Sequence, residues 1–415
     1  MAWRMTSQGI RGGELLSAGA RFAPAPGLLA RLMAPGFAKI LAQVDAGLER
    51  GSITAHLPDG TTRVLGGRAA GFNVEIRLKD WRALLRLATG GSVGWFQAYE
   101  AGEWEADNHA QMFALMSDNV RTLKNTARSS GLFRLIGLFA HQMNRNDRSG
   151  SARNISAHYD LGNDFYKEWL DPSMTYSSAL DVGDDGIEAA QQRKLSGIVE
   201  RLGDGETVLE IGCGWGALAD RIARTGAQVT AISLSDEQLR WAREHARSGI
   251  EFRKQDYRET SGQYDAIASV EMVEALGREY WPTFMDCVAR NLKPGGRAAL
   301  QFISMADDVF EDYARAADFI QAYVFPGGLL IKASEFRALA AERGLSWRDQ
   351  VDFGQDYAAT LRIWRERFDA AVGEGRLPDG FDDRFVRLWR YYLSYCEGGF
   401  LAGTIDVHQV TLVKN

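Results

Sequence analysis

The run Val208-Leu209-Glu210-Ile211-Gly212-Cys213-Gly214-Trp215-Gly216 joins an apolar stretch to glycines in G-x-G-x-G spacing. Glycines at such a turn let the backbone approach a ligand closely and swing into a helix. A dinucleotide loop uses G-x-G-x-x-G instead. Glu210 stands just before the first glycine, where it would repel phosphate but pair with an ammonium. The loop therefore points to a zwitterionic amino-acid ligand such as S-adenosylmethionine (SAM), held by Glu210, Gly212, Gly214 and Gly216. Ser233 and Gln238, in Ile232-Ser233-Leu234-Ser235-Asp236-Glu237-Gln238, are placed to meet ribose hydroxyls, while Ser235 or Asp236 suits a helix cap. Asp256-Tyr257 offers a carboxylate for an adenine amino group and a ring to stack on the base. A solvent-facing turn is the competing reading there.

These residues need an open parallel sheet to bring them together. Apolar strand patterns at 206–212, 228–234, 250–256, 264–270 and 296–303 alternate with helical stretches. That order predicts an α/β fold with a Rossmann-like, doubly wound sheet. Helical patterns follow at 306–322, 334–344, 356–373 and 383–396, before a final strand in Asp406–Asn415. Upstream, Gly51–Gly67 reads as two strands around the turn Pro58-Asp59-Gly60, and Phe72–Leu78 alternates as a third. A helix from Asp80 ends at Gly90-Gly91. Pro35-Gly36 divides an earlier apolar stretch into two short helices. The expected organisation is a small α+β domain over 1–120, a linker over 121–150 and the Rossmann-like body, with its helical insertion, over 151–415.

Several segments resemble the cyclopropane fatty acid synthase family. They are Ser156–Leu180 (SAHYDLGNDFYKEWLDPSMTYSSAL), Leu209–Gly216, Ser269–Gly277 (SVEMVEALG), Tyr323–Leu330 and Phe353–Phe368. The resemblance implies a SAM-dependent methyltransferase acting on unsaturated acyl chains of membrane phospholipids or mycolates, with 1–120 as a lipid-binding domain. It implies that the alkene attacks the sulfonium methyl and that a bound bicarbonate takes the proton from the resulting cation. By motif, the bicarbonate ligands fall on Glu274, Tyr357 and the Ile303 backbone. Tyr159, Tyr176 and Ser177 fall around SAM, the two tyrosines also around the acyl tunnel. Ser178 stands where the family has Cys, and Gln301 where it has His. The family's Glu-His pair reads Glu274-Ala275. Gln301 keeps an amide donor but carries no charge. The product is a cyclopropane or a methyl- or methylene-branched chain, according to where the base sits. Glu271 reads as a helix-capping carboxylate, and Tyr357 has a core position as its alternative. A small-molecule methyltransferase and a lipid-binding protein without catalysis are the rival functions.

The chain has 415 residues, 46% of them hydrophobic and 25% charged, with net charge −6. That balance is globular and argues against a nucleic-acid partner. Cys213, Cys287 and Cys396 form no metal or disulfide pattern, so no metal is expected. No apolar run is long enough to span a bilayer. Between 121 and 153 the charge reverses: Arg121, Lys124, Arg128, Arg134, Arg145, Arg148 and Arg153 face only Asp147. Such a segment is either a solvated linker or a contact for anionic lipid. The expected location is cytoplasmic, at the inner face of the cell membrane. Trp389-Arg390-Tyr391-Tyr392 reads as core or as a homodimer contact.

Overall fold

The computed structural model describes residues 11–19, 34–123, 161–315 and 318–415. Tyr159 and most of the basic linker therefore lie outside the described residues, as does the first of the two short helices expected around Pro35. A helix spans Ala34–Gly47.

Near the amino terminus, β1 (Ser52–His56) and β2 (Thr62–Gly66) form the expected hairpin. Asp59 closes its turn by accepting from the Thr61 N–H at 3.0 Å. Strand β3 (Asn73–Leu78) runs parallel to β1, and β4 (Trp104–Ala106) completes the order β2-β1-β3-β4. Val74, Ile76 and Leu78 point inward, as the alternation requires. The following helix does not end at Gly90-Gly91. It breaks at Gly91 (φ 58°, ψ −139°) and resumes to Glu100, because Phe96 and its neighbours gain a buried face by continuing.

The larger sheet holds β5 (Thr207–Ile211), β6 (Gln228–Ser233), β7 (Glu251–Lys254), β8 (Tyr264–Val270), β9 (Leu292–Met305), β10 (Ile331–Lys332), β11 (Leu345–Asp352) and β12 (Ile405–Lys414). Its order is β11-β12-β9-β8-β5-β6-β7, with β10 paired to the end of β9. Strands β5 to β9 are parallel, and β12 is antiparallel to both β9 and β11. Strand β11 has no counterpart in the sequence reading. It is an edge strand whose residues are mostly half-buried or exposed, so apolar alternation hardly marks it. The helix expected over 306–322 is two pieces, Asp307–Ala314 and Phe319–Tyr323. Asp318 starts the second with a reciprocal capping box to Gln321.

The two parts share a core. Phe96 lies 4.9 Å from Phe319, 4.6 Å from Tyr323 and 5.0 Å from Tyr391, ring centre to ring centre. Phe113 lies 4.9 Å from Tyr391. Trp389, Tyr391 and Tyr392, on the helix Asp383–Leu401, are buried core residues. Among the described residues no helix is long and apolar enough to cross a membrane.

Phe96→Ala empties the centre of this shared aromatic cluster. Urea unfolding followed by tryptophan fluorescence should show a loss of about 3–5 kcal/mol in one cooperative transition. Separate transitions for the two parts would contradict a common core.

Candidate active site

A cleft of about 190 Å³ opens at the carboxyl ends of β5, β6 and β8, the place where open α/β sheets bind ligands. Its floor is the glycine loop. Gly212 and Gly216 have φ of 83° and 90°. A Cβ on Gly212 would stand 2.7 Å from Met272 Cγ, whereas one on Gly214 would meet nothing within 4 Å. The loop is pinned by the Gly212 and Cys213 N–H groups, both donating to the Ile232 carbonyl at 3.0 Å. Trp215 donates its indole N–H to Asn163 Oδ1 at 2.7 Å, tying the loop to the Asn163–Tyr166 helix. Burial pushes the Cys213 thiol well above its usual pKa, so it is packing rather than a nucleophile.

The residues present fit SAM. Glu210 is 3% exposed, and its Oε2 has no hydrogen-bond partner. Burial pushes its carboxyl up to about 8, against the pull of Lys194. An ammonium brought into the cleft would satisfy it. Ser233 and Gln238 line the cleft, their side chains bonded to each other at 3.1 Å, while Ser235 caps the helix Asp236–His245. Asp256 is a less available acceptor than expected. Its Oδ1 takes Arg258 N and Nε, and its Oδ2 takes Arg258 Nη2 at 2.6 Å. Tyr257 is buried, with its ring edge toward Phe284.

Met174, Thr175, Tyr176 and Ser177, from the segment 174–182, line another side of the cleft. Tyr176 bonds Tyr392 hydroxyl to hydroxyl at 2.7 Å, and its ring sits 5.5 Å from Trp169 and 5.4 Å from Trp364. Ser177 Oγ accepts from the buried Lys194 Nζ at 2.6 Å. Desolvation lowers that ammonium to about 8, and the nearby carboxylates of Glu271, Asp171 and Glu210 oppose the fall. Ser178 bonds its hydroxyl to the Ala179 carbonyl, which leaves its backbone N–H to face the site. Phe325 and Pro326 also line the cleft, and Leu329 N–H, just past their turn, donates to the Glu274 carbonyl at 2.9 Å.

Glu274 and Tyr357 do not meet. Glu274 accepts from the Ile303 N–H through Oε1, and its Oε2 has no partner. Burial, and then the charge of Glu271, raise it to about 8. The carboxylate that gathers the other candidates is Glu271. Its Oε1 accepts from Ser178 N at 2.9 Å and from Gln301 Nε2 at 2.7 Å. Its Oε2 accepts from the Tyr357 hydroxyl at 2.6 Å. Gln301 is oriented by Gln409, which donates to its Oε1 at 3.0 Å. Burial raises the Glu271 pKa, while Tyr357, Ser178, Lys194 and Gln301 pull it back. Glu271 is thus not a helix cap. Its φ of 47° is a strained value for a residue other than glycine. The signal for it was an acidic residue directly after a parallel strand, which places Glu271 in the cleft, while Glu274 three residues on turns to the Ile303 N–H.

Bicarbonate does not fit this arrangement. The Tyr357 hydroxyl, the Gln301 amide and the Ser178 N–H, which would hold it, all end on Glu271. A free anion would also stand beside two half-buried carboxylates, Glu271 and Glu274. Elsewhere, Asp352, Asp406 and His408 hold three ligand-type atoms within 4.8 Å of one another. His408 is already bonded to Asp352 and Ser304, and Asp406 to the Gly354 N–H.

A family model described as mycolic acid cyclopropane synthetase matches residues 146–410. The chain is 36% identical over 346 residues to the tuberculostearic acid methyltransferase UfaA1 of Mycobacterium tuberculosis, covering 79% of this chain and 80% of that protein. It is 35% identical over 351 residues to the cyclopropane-fatty-acyl-phospholipid synthase of Escherichia coli, covering 82% and 88%. The crystal structure of the mycolic acid cyclopropane synthase CmaA1, complexed with SAH and CTAB, superposes with a TM-score of 0.59 at 28% identity. It covers 63% of this chain and 98% of that one.

Gly212→Val places a branched side chain against Met272 at a left-handed φ, and calorimetry should show SAM binding lost. Glu210 gives a pH signature. Its ligand-free carboxyl is protonated below about 8 and must ionise to hold an ammonium. Wild-type SAM affinity should therefore rise with pH toward that value, and Glu210→Gln should be weaker and flatter across the same range.

Proposed function

The chain is a SAM-dependent methyltransferase of the mycolic acid cyclopropane synthetase family, and we propose that its acceptor is the double bond of an unsaturated acyl chain in a membrane phospholipid. The observation that carries this reading is one cleft combining a SAM-type glycine loop, an aromatic wall and buried carboxylates. Methyl transfer to oxygen or nitrogen usually needs a polar pocket and a base such as histidine. Among the described residues lining this cleft there is no histidine.

Bound there, SAM supplies an electrophilic methyl group on a sulfonium. An alkene offers no polar handle, so the protein works by shape and field. The rings of Tyr176, Trp215 and Phe325 line the cleft with faces that favour positive charge, and Trp169 and Trp364 pack against Tyr176. With the acyl chain filling the cleft, water is kept from the chain carbocation that forms when the π electrons make the new carbon–carbon bond. A carboxylate must then remove a proton. Loss from the new methyl as it closes on the neighbouring carbon gives a cyclopropane. Loss after a hydride shift gives a methylene branch. Ser178, Gln301 and Ala275 depart together from the cyclopropane-forming pattern, and the likeness to the tuberculostearic acid methyltransferase points the same way. Both favour the branched product over the cyclopropane.

We place the enzyme at the inner face of the cell membrane, docked through the basic segment on anionic lipid. Triple substitution of Arg134, Arg145 and Arg148 by Glu should reduce sedimentation with anionic liposomes, and undiminished binding would remove that segment from the reading. Proton NMR of fatty acids released after turnover on unsaturated phospholipid tests the product. Alkene-region methylene protons are expected, and upfield cyclopropyl protons would restore the cyclopropane. No new acyl signal at all would overturn the acceptor.

A further inference from the structure

The donors that the family resemblance assigns to a bound anion are already occupied by a side chain of this protein. We propose that Glu271 is the built-in general base of the reaction, standing where a diffusible bicarbonate would otherwise bind, so that turnover needs no added anion. This rests on the alkene-methylation reading above.

Three independent elements aim donors at the Glu271 carboxylate: the Ser178 N–H from the 174–182 segment, the Gln301 amide from β9 and the Tyr357 hydroxyl from the helix Gly354–Gly373, at 2.9, 2.7 and 2.6 Å. Gln409 on β12 fixes the Gln301 amide so that its NH₂ faces the carboxylate. The backbone adopts a left-handed φ of 47° to deliver the side chain, a cost that persists only where surrounding contacts impose it. Glu271, Tyr176 and Met272 line the same cleft as the glycine loop, so the carboxylate is beside the methyl-transfer site rather than behind it. Glu274, bound to the Ile303 N–H, holds a second carboxyl close enough to raise its own affinity for a proton.

The step balances. Alkene π electrons form the bond to the methyl carbon, and the sulfur–methyl bond electrons stay on sulfur. The chain carbocation then loses a proton from the new methyl to a Glu271 oxygen: lost directly, that C–H pair closes the cyclopropane ring; lost after a 1,2-hydride shift has moved the charge to the methyl-bearing carbon, it becomes the methylene double bond. The proton leaves to solvent when product departs.

Two variants and one ion test this. In carbonate-free buffer the wild type should keep its full rate on unsaturated phospholipid, and added bicarbonate should leave it unchanged. Glu271→Gln should lose about 100-fold or more in turnover with SAM affinity retained. Glu271→Gly suits the left-handed backbone and frees the donors. It should bind ¹³C-bicarbonate by NMR, which the wild type should not, and recover part of its rate when the ion is added. A wild type that binds bicarbonate or stalls without it, or a Glu271→Gln enzyme at wild-type rate, overturns the proposal. The binding comparison needs no lipid turnover, so it separates failure of this inference from failure of the acceptor assignment.

Discussion

The structure depends on keeping several carboxylates ionisable in and beside one partly enclosed cleft. Glu210 and Glu271 line it, with the buried Lys194 as their counter-charge, and Glu274 lies near enough to Glu271 to feel its charge. Burial drives all three acids toward the neutral form and the lysine toward the free amine, so small displacements of donors decide who holds the protons. The fold answers by threading 174–182 between them. Ser177 takes the lysine, Ser178 serves Glu271, and the segment is clamped from outside by Thr360 and Asp356 on one helix and Gln191 on another. Strands β9 and β12 must be neighbours for Gln409 to hold Gln301. The antiparallel insertion of β12 is therefore part of the site, although it touches no ligand-binding loop.

On the proposed alkene acceptor, the electrostatic cost of burying these acids has a use: a carbocation is protected where water is excluded, and the same exclusion sharpens the field from a carboxylate or an aromatic face. The aromatic wall and the raised acid pKa values are one property seen from two sides.

Much of this was legible from residues. Regular strand-helix alternation and the G-x-G-x-G loop marked the Rossmann-like body, and the Pro58-Asp59-Gly60 turn marked the first hairpin. Boundaries failed where tertiary packing overrode local signals. Gly91 became a kink because Phe96 had a core to reach, and β11 lacked alternation because it lies at an edge. In the site, the family motifs single out Tyr357, Gln301 and Ser178 but group them with Glu274 around a bicarbonate. Sequence spacing cannot show which of two acids three residues apart receives the donors. That choice is made by a backbone turn at Glu271 that no residue type announces, since glutamate is a poor choice for a left-handed φ. Asp256 was likewise read as open, although the adjacent Arg258 folds back to bind it.

The helix Asp383–Leu401 touches both parts of the molecule. At Gly398 a side chain would collide with Phe113 and the Ala110 carbonyl of the amino-terminal part. Nearer its middle, the same helix presents the Tyr392 hydroxyl to Tyr176 in the cleft wall. A side chain at position 398 would displace the same helix that holds the Tyr176–Tyr392 pair, so the packing of the amino-terminal part and the shape of the cleft wall are tied through one element.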